Sequence, residues 1–120
     1  MAEGSDQTAE VAAAVARFTA AFAAQDLDAV MAAMTEDCVF ESTTPPDGER
    51  HVGPAAVRAA FGRFFAANPG ARFDVEEELL GDDHGVQLWT YHWGDGHVRG
   101  VDVMRVRDGL IAEKRSYVKG

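Results

Sequence analysis

Near residue 70 the apolar residues of this chain change their spacing. Before that point they recur every three or four positions, the period of a helix. Beyond it they recur every second position, the period of a strand. Helical and extended segments grouped in this way fold as helices laid over one face of an antiparallel sheet, an α+β arrangement. From Thr8 to Ala24, Val11, Val15, Phe18 and Phe22 make one apolar stripe, and the surrounding alanines favour a helix that approaches its neighbours closely. Asp26 reads as the N-cap of a second short helix lined by Leu27, Val30, Met31 and Met34, with the methionines as core filler. Cys38 to Ser42 reads as a strand and Thr43 to Arg50, with Pro45, Pro46 and Gly48, as a loop. Gly53-Pro54 opens a third helix with Val57, Phe61, Phe64 and Phe65 on its buried stripe, and Asn68-Pro69-Gly70 ends it.

The second half is a meander of four strands, Arg72–Leu80, Val86–Trp93, Val98–Arg107 and Leu110–Val118. Asp95-Gly96 and Asp108-Gly109 are two-residue hairpin signals. A two-residue turn at Asp95-Gly96 sets Trp89 opposite Asp102, Tyr91 opposite Gly100 and Trp93 opposite Val98. Opposed residues share a face. One face then carries Trp89, Tyr91, Trp93, Asp102, Met104 and Val106: apolar, with one carboxylate in its middle and space at Gly100. Apolar walls with a few placed polar groups are what a small-molecule pocket needs. The other face, with Arg99 and Arg105 among Leu88, Val101 and Val103, is partly solvated or used for self-association.

A buried aspartate must be paired, hydrogen-bonded or protonated. A strict Asp108-Gly109 turn offers Arg115 to Asp102, and a three-residue turn offers Lys114. On spacing alone, a structural cross-strand ion pair and a functional acid are equal readings. Alternation places Glu77 on an apolar face, but its neighbours Glu76 and Glu78 make it a surface residue if the strand bulges.

Composition removes several function classes. The 120 residues suit one domain, with residues 1–7 a flexible start and residues 8–120 a single folded unit. A formal charge of −9 argues against nucleic acid and anionic membrane surfaces as partners. Cys38 is the only cysteine, which excludes an internal disulfide and a multi-thiolate zinc site and suits a reducing cytoplasm. The polar, acidic start lacks the pattern of a signal peptide, and no apolar run is long enough for a membrane helix. Metal chemistry through His84, His92, His97 and Asp102 is disfavoured, since His92 and Asp102 fall on opposite faces and the other two lie at turns. No cofactor is expected.

The Asp26-Leu27-Asp28 segment, the Thr35-Glu36-Asp37-Cys38-Val39-Phe40 strand start, the Gly53-Pro54-Ala55-Ala56-Val57 helix start and the stretch from Gly100 to Ile111 together resemble the nuclear-transport-factor-2-like superfamily. Within it the chain is most similar to SnoaL-like proteins, a group that includes polyketide cyclases. The resemblance spans residues 8–118. It implies a cone-shaped barrel, in which a strongly curved, mostly antiparallel sheet wraps around about three N-terminal helices and encloses a pocket. It also implies homodimers through the sheet's outer face, and metal-free isomerisation, cyclisation or elimination on small hydrophobic molecules, or ligand binding alone.

Residue by residue, the resemblance carries over in part. Related ketosteroid isomerases place an aspartate on the penultimate strand that donates a hydrogen bond as a neutral acid, and Asp102 matches it. Phe18 stands where they have a tyrosine, and Ser42, beside Glu41, stands near their aspartate base. Steroid isomerisation is therefore not expected. The resemblance also favours Lys114 over Arg115 as the pocket-facing partner. The resulting expectation is a small hydrophobic molecule bound by Trp89, Tyr91, Met104, Phe18, Ser42 and Lys114. Asp102 acts as general acid or base, and His51 stands at the pocket mouth. The alternative is a non-catalytic binding or dimerisation module.

Overall fold

The computed structural model describes the backbone of residues 2–119 and the side chains of residues 7–119; the expectation of a flexible start at residues 1–7 falls almost wholly outside the described side chains. Three helices, α1 (Ala2–Ala23), α2 (Leu27–Ala32) and α3 (Pro54–Ala67), accompany six strands. These are β1 (Met34–Glu41), β2 (Arg50–Val52), β3 (Arg72–Leu80), β4 (His84–Trp93), β5 (Gly96–Arg107) and β6 (Leu110–Val118). They form one sheet in the order β2-β1-β6-β5-β4-β3, and its two edges do not meet, so the cone is open. Only the β1–β6 pairing is parallel.

The helical stripes behave as their spacing predicts. Val11, Val15, Phe18 and Phe22 are all buried. Asp26 caps α2 by accepting a hydrogen bond from the Ala29 backbone N–H at 3.1 Å. Phe61 of α3 is fully buried and lies 6.2 Å from the Phe18 ring, 6.0 Å from Phe22 and 4.5 Å from Phe40 of β1, so the two longer helices and the sheet share one aromatic core.

Four local expectations are corrected. Met34 belongs to β1, not α2, because its backbone pairs in parallel with Ile111 before the strand bulges toward Val39. Residues Arg50–Val52, expected to close a loop and lead into α3, form a short strand against Val39–Glu41. Phe64 leaves the buried stripe of α3 and is partly exposed, leaning on Tyr91 with ring centroids 5.3 Å apart. The fourth is the register of the β4–β5 hairpin.

That hairpin turns through Gly94-Asp95, with Gly94 at φ 49°, rather than through Asp95-Gly96. Trp93 pairs with Gly96, Trp89 with Gly100, and Gln87 with Asp102. The Trp93 ring lies over Gly96, where a Cβ would come within 3.0 Å of it. The glycine that signals the turn is thus a strand residue kept bare for that ring. The slip is by two residues, which preserves the alternation, so every side chain keeps its expected face.

The β5–β6 hairpin turns at Asp108-Gly109, with both residues at positive φ. A bulge between Arg105 and Val106 then shifts the register, so that Ser116 lies opposite Asp102 and Lys114 opposite Met104. Lys114 is buried on the inner face, while Arg115 pairs with Val103 on the outer one. A second bulge, between Val75 and Glu77 of β3, keeps Glu77 exposed and turns Glu78 toward Gln87.

Candidate functional site

The sheet's inner face, α1 and α3 enclose a cavity of about 260 Å³. Its walls are aromatic, with Phe22 from α1, Phe61 and Phe64 from α3, Phe40 from β1, Phe73 from β3, and Trp89 and Tyr91 from β4. Gly100 lets Trp89 lie flat against β5, since a Cβ there would come within 2.6 Å of the indole and collide with the Tyr117 carbonyl.

Asp102 and Lys114 also line this cavity, at 1% and 5% exposure. The Lys114 ammonium lies 3.3 Å from Asp102 Oδ2 and donates to Ser116 Oγ at 3.0 Å. It sits over three rings, at 4.8 Å from the centre of Phe22, 5.0 Å from Phe40 and 5.7 Å from Phe61. Cation–π attraction and the carboxylate together offset its desolvation. Asp102 is less well served, because its Oδ1 is buried without a hydrogen-bond partner. Tyr91 Oη and Trp89 Nε1 share that condition on the same cavity wall. Leaving such groups unpaired costs about 1–3 kcal/mol each. Burial pushes the Tyr91 phenol above its ordinary ionisation range, so it remains a neutral donor at physiological pH.

Polar residues ring the opening. His51 stacks on Phe40 at 5.9 Å, and its Nε2 stands 3.8 Å from Glu49. Ser42 lines the cavity, but its hydroxyl is committed to the loop: it accepts from the Glu49 backbone N–H at 3.0 Å and donates to Thr44 Oγ1 at 3.2 Å. Arg63 of α3 completes the opening.

The structure brings Asp102, Trp89, Tyr91, Ser42 and Lys114 to one cavity, with His51 at its mouth. Phe18 and Met104 are not on its wall. Both are core residues, and Phe22, one turn beyond Phe18, takes the wall position instead. Sequence reasoning missed Gln87, which is 1% exposed on the inner face and donates from Nε2 to Thr19 Oγ1 at 2.8 Å and to Glu78 Oε2 at 2.7 Å. Its signal was available: a lone amide alternating in step with Trp89 and Tyr91. Ser116 and the mouth residues Thr43, Thr44, Glu49 and Arg63 were also missed, since only the folded loop and α3 gather them.

His92 and His97 stack on each other at 5.9 Å across the hairpin, and His84 bonds its neighbour Asp83 at 2.6 Å. Among the described residues no three His, Cys, Asp or Glu side chains are grouped to hold a metal ion, and no helix is long and apolar enough to cross a membrane. Burial pushes the Cys38 thiol pKa up, so little thiolate forms and it is a poor nucleophile.

An open cone of curved sheet around a helix-capped, aromatic cavity defines a nuclear-transport-factor-2-like fold. The sequence model of the SnoaL-like domain matches residues 15–114, and the chain belongs to that family. It is 40% identical to an NTF2-like protein of unknown function from Mesorhizobium loti, over 95% of this chain and 94% of that one, with a TM-score of 0.84. A candidate ketosteroid isomerase from Kribbella flavida has the same fold at 22% identity, with a TM-score of 0.80, over 94% of this chain and 80% of that one. A candidate polyketide cyclase from Sinorhizobium meliloti does so at 20% identity, with a TM-score of 0.74, over 86% of this chain and 92% of that one. Among curated proteins no sequence matches significantly.

Proposed function

We propose that this chain binds a small, mostly hydrophobic molecule in the aromatic cavity and that Asp102 transfers a proton to or from it. The reaction class is cofactor-independent isomerisation, cyclisation or elimination. The observation that carries this reading is Asp102 itself: a cavity-lining carboxylate with one oxygen held by Lys114 and the other without a partner. A carboxylate fixed through Oδ2 keeps Oδ1 for a ligand hydroxyl or an acidic C–H, reached by a small side-chain rotation. The unpaired Tyr91 Oη and Trp89 Nε1 are donors for a ligand oxygen, so the molecule this wall complements carries a carbonyl or hydroxyl at its inner end. The similarity to candidate isomerase and cyclase structures supports the same class.

The 3.3 Å pairing with Lys114 favours one second reading, in which Asp102 serves only to hold Lys114 and the domain binds without catalysis. Hydrogen–deuterium exchange at carbons beside the carbonyl of small cyclic ketones, followed by NMR, separates the two. Exchange that disappears in Asp102→Asn supports proton transfer; bound ketone that never exchanges supports binding alone. A second copy is the partner proposed for the outer face, where Val86, Leu88, Val101 and Val103 are half-exposed. Sedimentation of the wild type and Val101→Glu tests that.

A further inference from the structure

Arg63 stands apart from every other arginine of the chain. Arg50, Arg58, Arg72, Arg99, Arg105, Arg107 and Arg115 each pair with a carboxylate, and Arg17 donates to the Ala32 carbonyl at 2.8 Å. Arg63 has neither an ion pair nor a hydrogen bond among the described residues, although the protein carries a net charge of −9 and acidic partners are abundant. It lies mid-helix in α3, exposed, and lines the cavity. Of the other charges on that cavity, Asp102 faces Lys114 at 3.3 Å, and Glu49, 3.8 Å from the His51 ring, makes no ion pair with Arg63. The Arg63 cation at the opening is therefore free for a ligand.

We infer that Arg63 reads the charged end of an anionic ligand, and that the molecule taken by this pocket is a small amphipathic carboxylic acid. This deepens the pocket reading above and rests on it. Orientation follows from solvation. A carboxylate is expensive to strip of water, so the apolar body enters among the phenyl rings while the acid group stays at the mouth. There the arginine fork offers two parallel N–H donors to a carboxylate, a geometry that an ammonium lacks. Size follows from volume. An apolar cavity of roughly 150 Å³ holds a benzene ring. The 260 Å³ here therefore suits one ring with a short acid-bearing chain. In a protein this acidic, long-range attraction contributes nothing to capturing an anion, so recognition must come from a local cation of this kind.

The test is a titration of tryptophan fluorescence, Trp89 being a cavity wall, with para-hydroxyphenylpropionate and with its neutral primary amide. Wild-type protein should bind the acid about five- to tenfold more tightly than the amide, as a charge-assisted hydrogen bond gives. Added salt should narrow that difference. In Arg63→Gln the two ligands should bind equally, with the amide's affinity and the unfolding midpoint unchanged, and Arg63→Lys should restore only part of the preference. Equal affinities in the wild type, or a preference that survives in Arg63→Gln, would overturn the inference while leaving the pocket reading intact. Failure of both ligands to bind the wild type would contradict the pocket reading and this inference together.

Discussion

Lys114 and Asp102 are not opposite each other in the β5–β6 ladder, yet their charged groups lie 3.3 Å apart. Asp102 is paired with Ser116 and Lys114 with Met104, so the ion pair is a diagonal one between inner-face neighbours. The bulge at Arg105/Val106 creates it. Without that extra residue the turn would bring Arg115 to Asp102 and turn Lys114 to the outer face.

Breaking a buried pair by removing one partner leaves an uncompensated charge. Lys114→Met should lower unfolding stability by about 3–5 kcal/mol. Lys114→Met combined with Asp102→Asn should be less destabilised than Lys114→Met alone, because the stranded carboxylate is gone. Denaturant unfolding of the two single variants and the double variant measures the coupling. Strict additivity would mean that the two groups do not act as a pair.

Tyr91→Phe separates a ligand contact from a structural one. Its hydroxyl has no partner in the protein, so removing it should leave stability unchanged or raise it by up to about 1 kcal/mol. Affinity for a ligand bearing a hydroxyl or carbonyl should fall. A clear loss of stability would show that the hydroxyl is satisfied within the fold.

Gly100→Ala tests the flat seating of Trp89. The added methyl would meet the indole within 2.6 Å as well as the Tyr117 carbonyl. Overpacking of this kind costs typically about 1–3 kcal/mol. Both a lower unfolding midpoint and a shifted tryptophan emission are expected, and an unchanged emission spectrum would contradict the packing described.

A pH effect is expected at the start of β1. Arg107 donates to Asp37 and, with Thr35, holds its carboxyl below the usual carboxylate range. A depressed folded-state pKa contributes stability that is complete above the unfolded value of about 3.9 and is lost as pH falls through the folded value. Arg107→Gln should therefore melt below the wild type at neutral pH, with the two melting temperatures converging as the solution is acidified below about pH 4. A constant gap across that range would contradict the pairing.

Much of this was legible from periodicity. The helical stripe through Val11, Val15, Phe18 and Phe22 and the alternation through Trp89, Tyr91, Asp102 and Met104 fix which sides face inward, and a register error of two residues leaves them intact. What alternation cannot supply is distance along a strand. It makes Met104 and Asp102 equivalent, yet one lies under the helices and the other beside the cavity. Bulges were equally hidden, because the extra residue, Ala112 of β6 opposite the Arg105/Val106 step, breaks no apolar pattern: Ile111 and Ala112 are both buried. The mouth was illegible for another reason. Ser42, His51 and Arg63 lie just past the end of β1, on a three-residue strand and on a helix, and only folding brings them together.

The central claim is that Asp102 belongs to the ligand rather than to the scaffold. Unfolding and ligand affinity measured side by side for the wild type and Asp102→Asn address it directly, with para-hydroxyphenylpropionate as the probe. Asparagine retains the size but removes the charge that faces Lys114, whose ammonium keeps Ser116 Oγ and the three rings, so the variant should fold with a loss of stability of at most about 3–5 kcal/mol. Its affinity for the probe should fall at least severalfold. An unchanged affinity together with a large loss of stability would contradict the account.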